Sequence, residues 1–171
     1  MKRFISIAFI MLVLYATGFS KTGHKKTILN GLYLITKIDT DATKLSPLSQ
    51  NEMAVGFSKL FAEYNNKDEF IRLIIDTTQF VPLELEKAPT TEQQTEKKKK
   101  LLLSLTKEAS EKLKAFTANH VMSRVAIVVD GEALTMHKIK EPITSGQLQI
   151  TRCTDNACER LFVKLKDNVK K

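Results

Sequence analysis

Apolar residues along this chain fall mostly into short runs of strand length, and take up helical spacing in only two or three places. The clearest run is Val125-Ala126-Ile127-Val128-Val129, β-branched and unbroken, which predicts a strand covered on both faces. Asp130-Gly131 supplies a turn, because Gly tolerates positive φ and Asp bonds its own backbone. Ala133 to Ile139 can then return as the second arm of a hairpin. Glu141-Pro142-Ile143 breaks that arm, Ser145-Gly146 turns again, and Leu148-Gln149-Ile150 reads as a short strand. The stretch Arg124 to Thr151 is therefore expected to form the centre of a sheet that the rest of the chain covers.

The same pattern extends upstream. Gly31 to Asp39 is a strand candidate, followed by a loop over Asp41 to Gln50 that contains Pro47. Asn51 to Tyr64 fits a helix through Met53, Phe57, Leu60, Phe61 and Tyr64. Met53 to Phe57 also fits a strand, and Gly56 weakens the helix; helix is the favoured reading. Phe70 to Asp76 and Phe80 to Glu86 read as two strands. In the second, Val81, Leu83 and Leu85 alternate with Pro82, Glu84 and Glu86, and Pro82 argues for an edge position. Ala88 to Lys98 is polar and repetitive, an exposed loop or arm. Leu101 to Leu105 is a further strand. Thr106 can cap a helix carrying Ala109, Leu113, Phe116 and His120, and a last helix carries Cys158, Leu161, Phe162, Leu165 and Val169. The order predicts an α+β fold, a mainly antiparallel sheet with two or three helices packed on it.

Composition changes the picture at one end. Lys2 and Arg3 precede an apolar stretch, Phe4 to Tyr15, with small residues at Ala16, Gly18 and Ser20, which predicts a signal peptide over residues 1–20. The apolar run is short for a membrane span, although an uncleaved anchor is the alternative. Cleavage would take the 27 basic residues to 25 against 19 acidic ones, about +6 by count. That charge suits anionic partners, including weak contact with an anionic membrane surface. Nucleic acid is a poor fit for an exported chain without a binding motif. No Gly-rich phosphate loop, nucleophile elbow or metal-ligand spacing appears, so neither catalytic residues, nor metal, nor cofactor is predicted. His24, His120 and His137 are far apart in sequence. His120 reads as a helix-end residue and His137 as a strand-surface one.

Several short motifs in the second half, taken in order, resemble the head region of the first periplasmic domain of SecD/SecDF, the protein-export membrane proteins. They are Leu113-Lys114-Ala115-Phe116-Thr117 closing a helix, Ala126-Ile127-Val128-Val129-Asp130-Gly131 as strand and turn, Glu141-Pro142-Ile143, and Gly146-Gln147-Leu148-Gln149-Ile150. The resemblance covers Leu105 to Leu165; upstream the likeness is in strand content alone. With the signal peptide (1–20), the expected organisation is a strand-rich part with a polar loop (21–100) and, as the resemblance implies, a head-like α+β part of the same domain (101–171). The sequence departs from the pattern at Thr135-Met136-His137, where relatives often have Ser-Ala-Pro. It departs again at Met122 and Arg152, where they often have Gly. The multi-span membrane portion does not appear in this sequence, so the resemblance implies a free-standing relative of the part that meets substrate, not the motor.

Where relatives place an aromatic residue and an Ala, this chain has Cys153 and Cys158. If Thr154 caps the last helix, these occupy positions whose side chains meet in a hydrophobic staple, and a disulfide could replace that contact. Two buried free thiols are the alternative, and the C-x4-C spacing argues against a thioredoxin-like site. The resulting expectation is an exported, non-enzymatic module of the periplasm or cell envelope. It would contact unfolded or translocating polypeptides or another envelope protein. The alternative is an envelope thiol-redox protein or enzyme using Cys153/Cys158 or His137.

Overall fold

The computed structural model describes residues 28–58, 70–95, 98–153, 155–166 and 169. The expected signal peptide and Leu60, Phe61 and Tyr64 lie outside these. Five strands form one antiparallel sheet in the order β2-β3-β1-β6-β7, and three form another in the order β4-β5-β8. The first contains β1 (Gly31–Asp39), β2 (Glu52–Gly56), β3 (Arg72–Pro82), β6 (Arg124–Val129) and β7 (Glu132–Lys138). The second contains β4 (Thr90–Thr95), β5 (Lys98–Ser104) and β8 (Gln147–Cys153). Two helices, α1 (Lys107–Asn119) and α2 (Asp155–Lys166), complete an α+β architecture. Thr106 caps α1 as expected, its hydroxyl accepting from the Ala109 amide at 3.2 Å.

The five-stranded sheet is apolar on both faces. Leu32, Val81, Val125, Ile127 and Val129 join Ala109, Leu113 and Phe116 of α1, Leu101 and Leu103 of β5, Leu148 and Ile150 of β8, and Leu161 and Leu165 of α2 in one core. On the opposite face Tyr33, Ile35, Val55, Leu73, Ile75, Ala126, Val128 and Ala133 form a second core. There Tyr33 stacks on Phe80 with ring centroids 4.8 Å apart. Covering on both sides explains why β6 reads as an unbroken apolar run. The sheet also curls: Phe57 bridges Ala133, and the Ser58 amide donates to the Ala133 carbonyl at 2.8 Å, so its two outer strands meet at one end.

Four expectations need correction. Residues 52–56 are strand, not helix, because a five-residue ladder with Arg72–Asp76 of β3 overrides the helical spacing. The two strands expected over Phe70–Asp76 and Phe80–Glu86 are one strand, β3. Residues 76–79 bulge opposite the single Leu34, and Asp76 Oδ1 accepts from the Thr78 and Gln79 amides within the bulge. Pro82 does not mark an edge strand, since β3 lies between β2 and β1. It is tolerated because β2 pairs only with Arg72–Asp76, leaving the Pro82 end with one neighbour. The polar segment from Ala88 contains strand β4, exposed along its whole length and paired only with β5.

The expected central unit Arg124–Thr151 also divides. Its hairpin belongs to the five-stranded sheet, whereas β8 pairs with β5 in the other. Glu141-Pro142-Ile143 is thus a crossing between two sheets.

Candidate functional site: a groove between two open strand edges

The site follows from that crossing. β7 is the outer strand of one sheet and β8 the outer strand of the other. Between them lies a groove of about 340 Å³. Leu32, Val125, Ile127, Ile139, Ile143 and Leu148 make it predominantly apolar. His137, Lys138 and Lys140 stand on the β7 side, and Gln147 and Gln149 on the β8 side. Beyond the Phe57–Ala133 bridge, Leu134–Lys138 of β7 has no strand neighbour on the side away from β6 among the described residues. Such edges carry unpaired backbone donors and acceptors.

The crossing that closes the groove is held from below. Thr117 is fully buried, and its hydroxyl donates to the Leu113 carbonyl at 2.8 Å while accepting from the Ile143 amide at 2.9 Å. The Thr that ends the helical motif therefore fixes the Glu-Pro-Ile element onto α1. Gly146 then turns the chain into β8 with φ of +65°, and a Cβ there would lie 2.6 Å from Ser110 Oγ. The Leu105 amide donates to the Gly146 carbonyl at 3.1 Å, joining the same turn to the start of α1.

The other singled-out residues sit as follows. Asp130 and Gly131 have φ of +52° and +80°, the two-residue hairpin turn expected of Asp-Gly. The Asp130 amide is held by Asn30 Oδ1 at 2.9 Å, and its carboxylate pairs with Lys164 of α2. Glu141 and Ile143 line the groove, Gln149 stands exposed on its lip, and Ile150 points into the shared core. Pro142 is exposed at the crossing. His120 ends α1, with Nδ1 2.8 Å from the Phe116 carbonyl oxygen. His137 is on the strand surface at the groove, where partial desolvation holds its imidazole below the ordinary histidine pKa and hence neutral at pH 7. Cys158 is buried on α2, while the Cys153 side chain lies outside the described residues.

Sequence reasoning missed the anchoring partner of Thr117. Its position was visible, but its partner is 26 residues away and becomes a neighbour only when the crossing folds back over α1.

Comparison with known proteins bears directly on this architecture. The SecDF P1 head subdomain family matches residues 65–168, from before β3 to past the end of α2. The chain belongs to that family. The match begins well upstream of the motifs that carried the sequence resemblance, so β3, β4 and β5 are family elements too. The SecD subunit of the protein translocase from Acidaminococcus fermentans is 38% identical over 53 residues, spanning 31% of this chain and 13% of that protein. A SecDF described as a membrane component that enhances protein export is 24% identical, with a TM-score of 0.45 over 50% of this chain and 40% of its own. SecDF in a super-membrane-facing form is 26% identical, with a TM-score of 0.42 over 50% of this chain and 12% of its own. The chain thus corresponds to a minor part of the length of these relatives.

As a P1 head, the protein is an exported, non-enzymatic binding module of the cell envelope. Among the described residues no cluster of three or more potential metal ligands occurs. Nor is any described helix long and apolar enough to cross a membrane.

Proposed function

We propose that this P1 head binds extended polypeptide in the groove between β7 and β8. The supporting observation is the juxtaposition of two outer strand edges across an apolar floor. An extended segment laid in the groove can satisfy its backbone on a strand edge while turning alternate side chains toward the groove's apolar lining. The relatives' own description as translocase and export components agrees with a polypeptide ligand. In this reading the motif residues Glu141, Ile143 and Gln149 line one wall of the groove, Pro142 and Gly146 shape the crossing that carries it, Ile150 anchors β8 in the core, and Asp130-Gly131 sets the β6–β7 hairpin that builds the other wall.

A photo-crosslinking amino acid at Gln149, on the lip, and at Glu111, on the exposed face of α1, tests the site. The purified protein is irradiated with a reduced, unfolded polypeptide. Adducts at position 149 and none at 111 are expected; equal yields at the two positions, or none at either, would refute the reading.

We further propose that Cys153 and Cys158 form a structural disulfide. Cys158 is buried at the fourth residue of α2, no cysteine is free among the described residues, and Cys153 is the one other cysteine in the sequence. The pair would hold the end of β8 to the start of α2.

A further inference from the structure

Two costly choices lie together at the open end of the β6–β7 hairpin, beside the groove. The first is Met122, which follows α1 with φ of +70°, a conformation that disfavours residues with a Cβ. Its amide donates to the Ile139 carbonyl at 2.7 Å, which ties it to the groove wall, yet its side chain is 62% exposed. Val121 beside it is 42% exposed. A long apolar side chain is thus held out to solvent where Gly would relieve the backbone.

The second is a like-charge pair. Arg124 on β6 lies directly opposite Lys138 on β7, an arrangement that destabilises an antiparallel pair. Lys140 follows two residues later. Arg124, Lys138 and Lys140 are exposed, and among the described residues none has a carboxylate within ion-pairing distance. Glu141 is the acidic group lining the groove, and His137 is neutral at pH 7. Both oddities cost the fold something, and both leave exposed groups at the same end of the hairpin, although Arg124 and its partner Lys138 share the sheet face of Ala126 and Val128 and not that of the groove-lining Val125 and Ile127. Met suits this because its unbranched, polarisable chain adapts to varied apolar partners.

We infer that the open end of the β6–β7 hairpin, beside the groove, docks an acidic–apolar segment of the polypeptide ligand. Val121 and Met122 receive an apolar side chain, and Arg124, Lys138 and Lys140 receive its flanking carboxylates. The inference rests on the polypeptide reading above and adds the chemistry of the ligand: mixed Leu/Val with Asp/Glu, in preference to neutral or basic extended segments.

The test uses fluorescence anisotropy with three labelled peptides of equal length. One alternates Leu/Val with Asp/Glu, the second replaces the acids by Asn/Gln, and the third replaces them by Lys. At low salt the acidic peptide should bind roughly three- to tenfold more tightly than the neutral one, with the gap narrowing at physiological salt. The Lys138→Gln/Lys140→Gln double variant should abolish that preference, bringing the ratio of acidic-peptide to neutral-peptide affinity to about one. Met122→Gly should weaken binding of both peptides several-fold while raising the midpoint of urea unfolding, an opposition that a purely structural Met122 would not produce.

Equal affinity for acidic and neutral peptides would overturn the inference while leaving the polypeptide reading standing. Failure of all three peptides to bind would overturn both. Sedimentation with phosphatidylserine vesicles, lost in Lys138→Gln/Lys140→Gln, with no acidic-peptide preference would assign the cations to a membrane surface and also overturn it.

Discussion

At the scale of single residues, the groove depends on Thr117 and Gly146 more than on any group that faces it. Thr117→Val keeps the shape of the side chain but removes the acceptor for the Ile143 amide, leaving that amide under the crossing without its partner. Losing such a bond costs about 1–3 kcal/mol, read as a fall in the urea midpoint, and Thr117→Ser should recover most of it. Gly146→Ala meets two obstacles, a positive φ and Ser110 Oγ at 2.6 Å, and should cost more than about 1 kcal/mol. Adding Ser110→Ala should return only the steric part, which a double-mutant cycle separates from the backbone part. The Asp130-Gly131 turn was legible because both residues act locally. The role of Thr117 was not, because hydrogen-bond partners distant in sequence leave no local mark. Thr135 is a harder case: its hydroxyl is buried without a hydrogen-bond partner among the described residues, and nothing in the structure explains why this position is not Val.

At the scale of elements, strands with a strong local pattern were readable and those made by pairing were not. β1 and β6 carry their own apolar patterns. β2 is short and polar at its start, and becomes a strand because β3 offers it a ladder. β4 has no apolar face at all and exists through β5. The connection from β1 to β2 shows a different device, two carboxylates that fasten a loop. Asp39 Oδ1 accepts from the Ser46 hydroxyl at 2.6 Å, and Asp39 Oδ2 accepts from Arg72 at 2.7 Å. Glu52 accepts from the Ser49 amide at 2.9 Å and the Thr36 hydroxyl at 2.7 Å. The Ser46 hydrogen bond, assisted by Arg72, lowers the Asp39 pKa. The Ser49 amide, with Thr36, takes Glu52 from 4.5 to about 2. Both folded-state values lie below the unfolded ones, so the stabilisation is fully present above the unfolded carboxylate pKa. It is lost as pH falls through the folded values. Protection factors in the segment from Asp41 to Gln50, measured against the intrinsic exchange rate at each pH, should therefore fall between about pH 4.5 and pH 2, ahead of those in β6. Asp39→Asn should bring faster exchange in that segment to neutral pH, and an unchanged pattern would refute the fastening role.

At the scale of the whole molecule, the fold class was legible and the partition into two sheets was not. Leu148-Gln149-Ile150 looks like a third strand for the β6–β7 hairpin, and the short Glu141-Pro142-Ile143 connection gives no sign that it changes sheets. What joins the layers is the apolar core that runs from Leu32 and Ile127 through α1 to Leu161 and Leu165. Asp130–Lys164 adds an exposed tie between the hairpin turn and α2. This arrangement decides what the proposed Cys153–Cys158 disulfide can contribute. It would close a very short loop, so its effect on the unfolded chain is on the order of 2–3 kcal/mol at most. The interlayer core does not depend on it, because Leu161 and Leu165 are buried against β5 and β8 independently of the N-terminal end of α2. Mass spectrometry of the alkylated protein should accordingly show no free thiol until a strong reductant is added. The reduced protein should remain folded by near-ultraviolet circular dichroism, with a lower urea midpoint and unchanged affinity for the acidic peptide. A pair reduced at the potential of a glutathione buffer, with peptide binding that switches on or off as it opens, would contradict a structural bond and indicate a redox device at the end of β8.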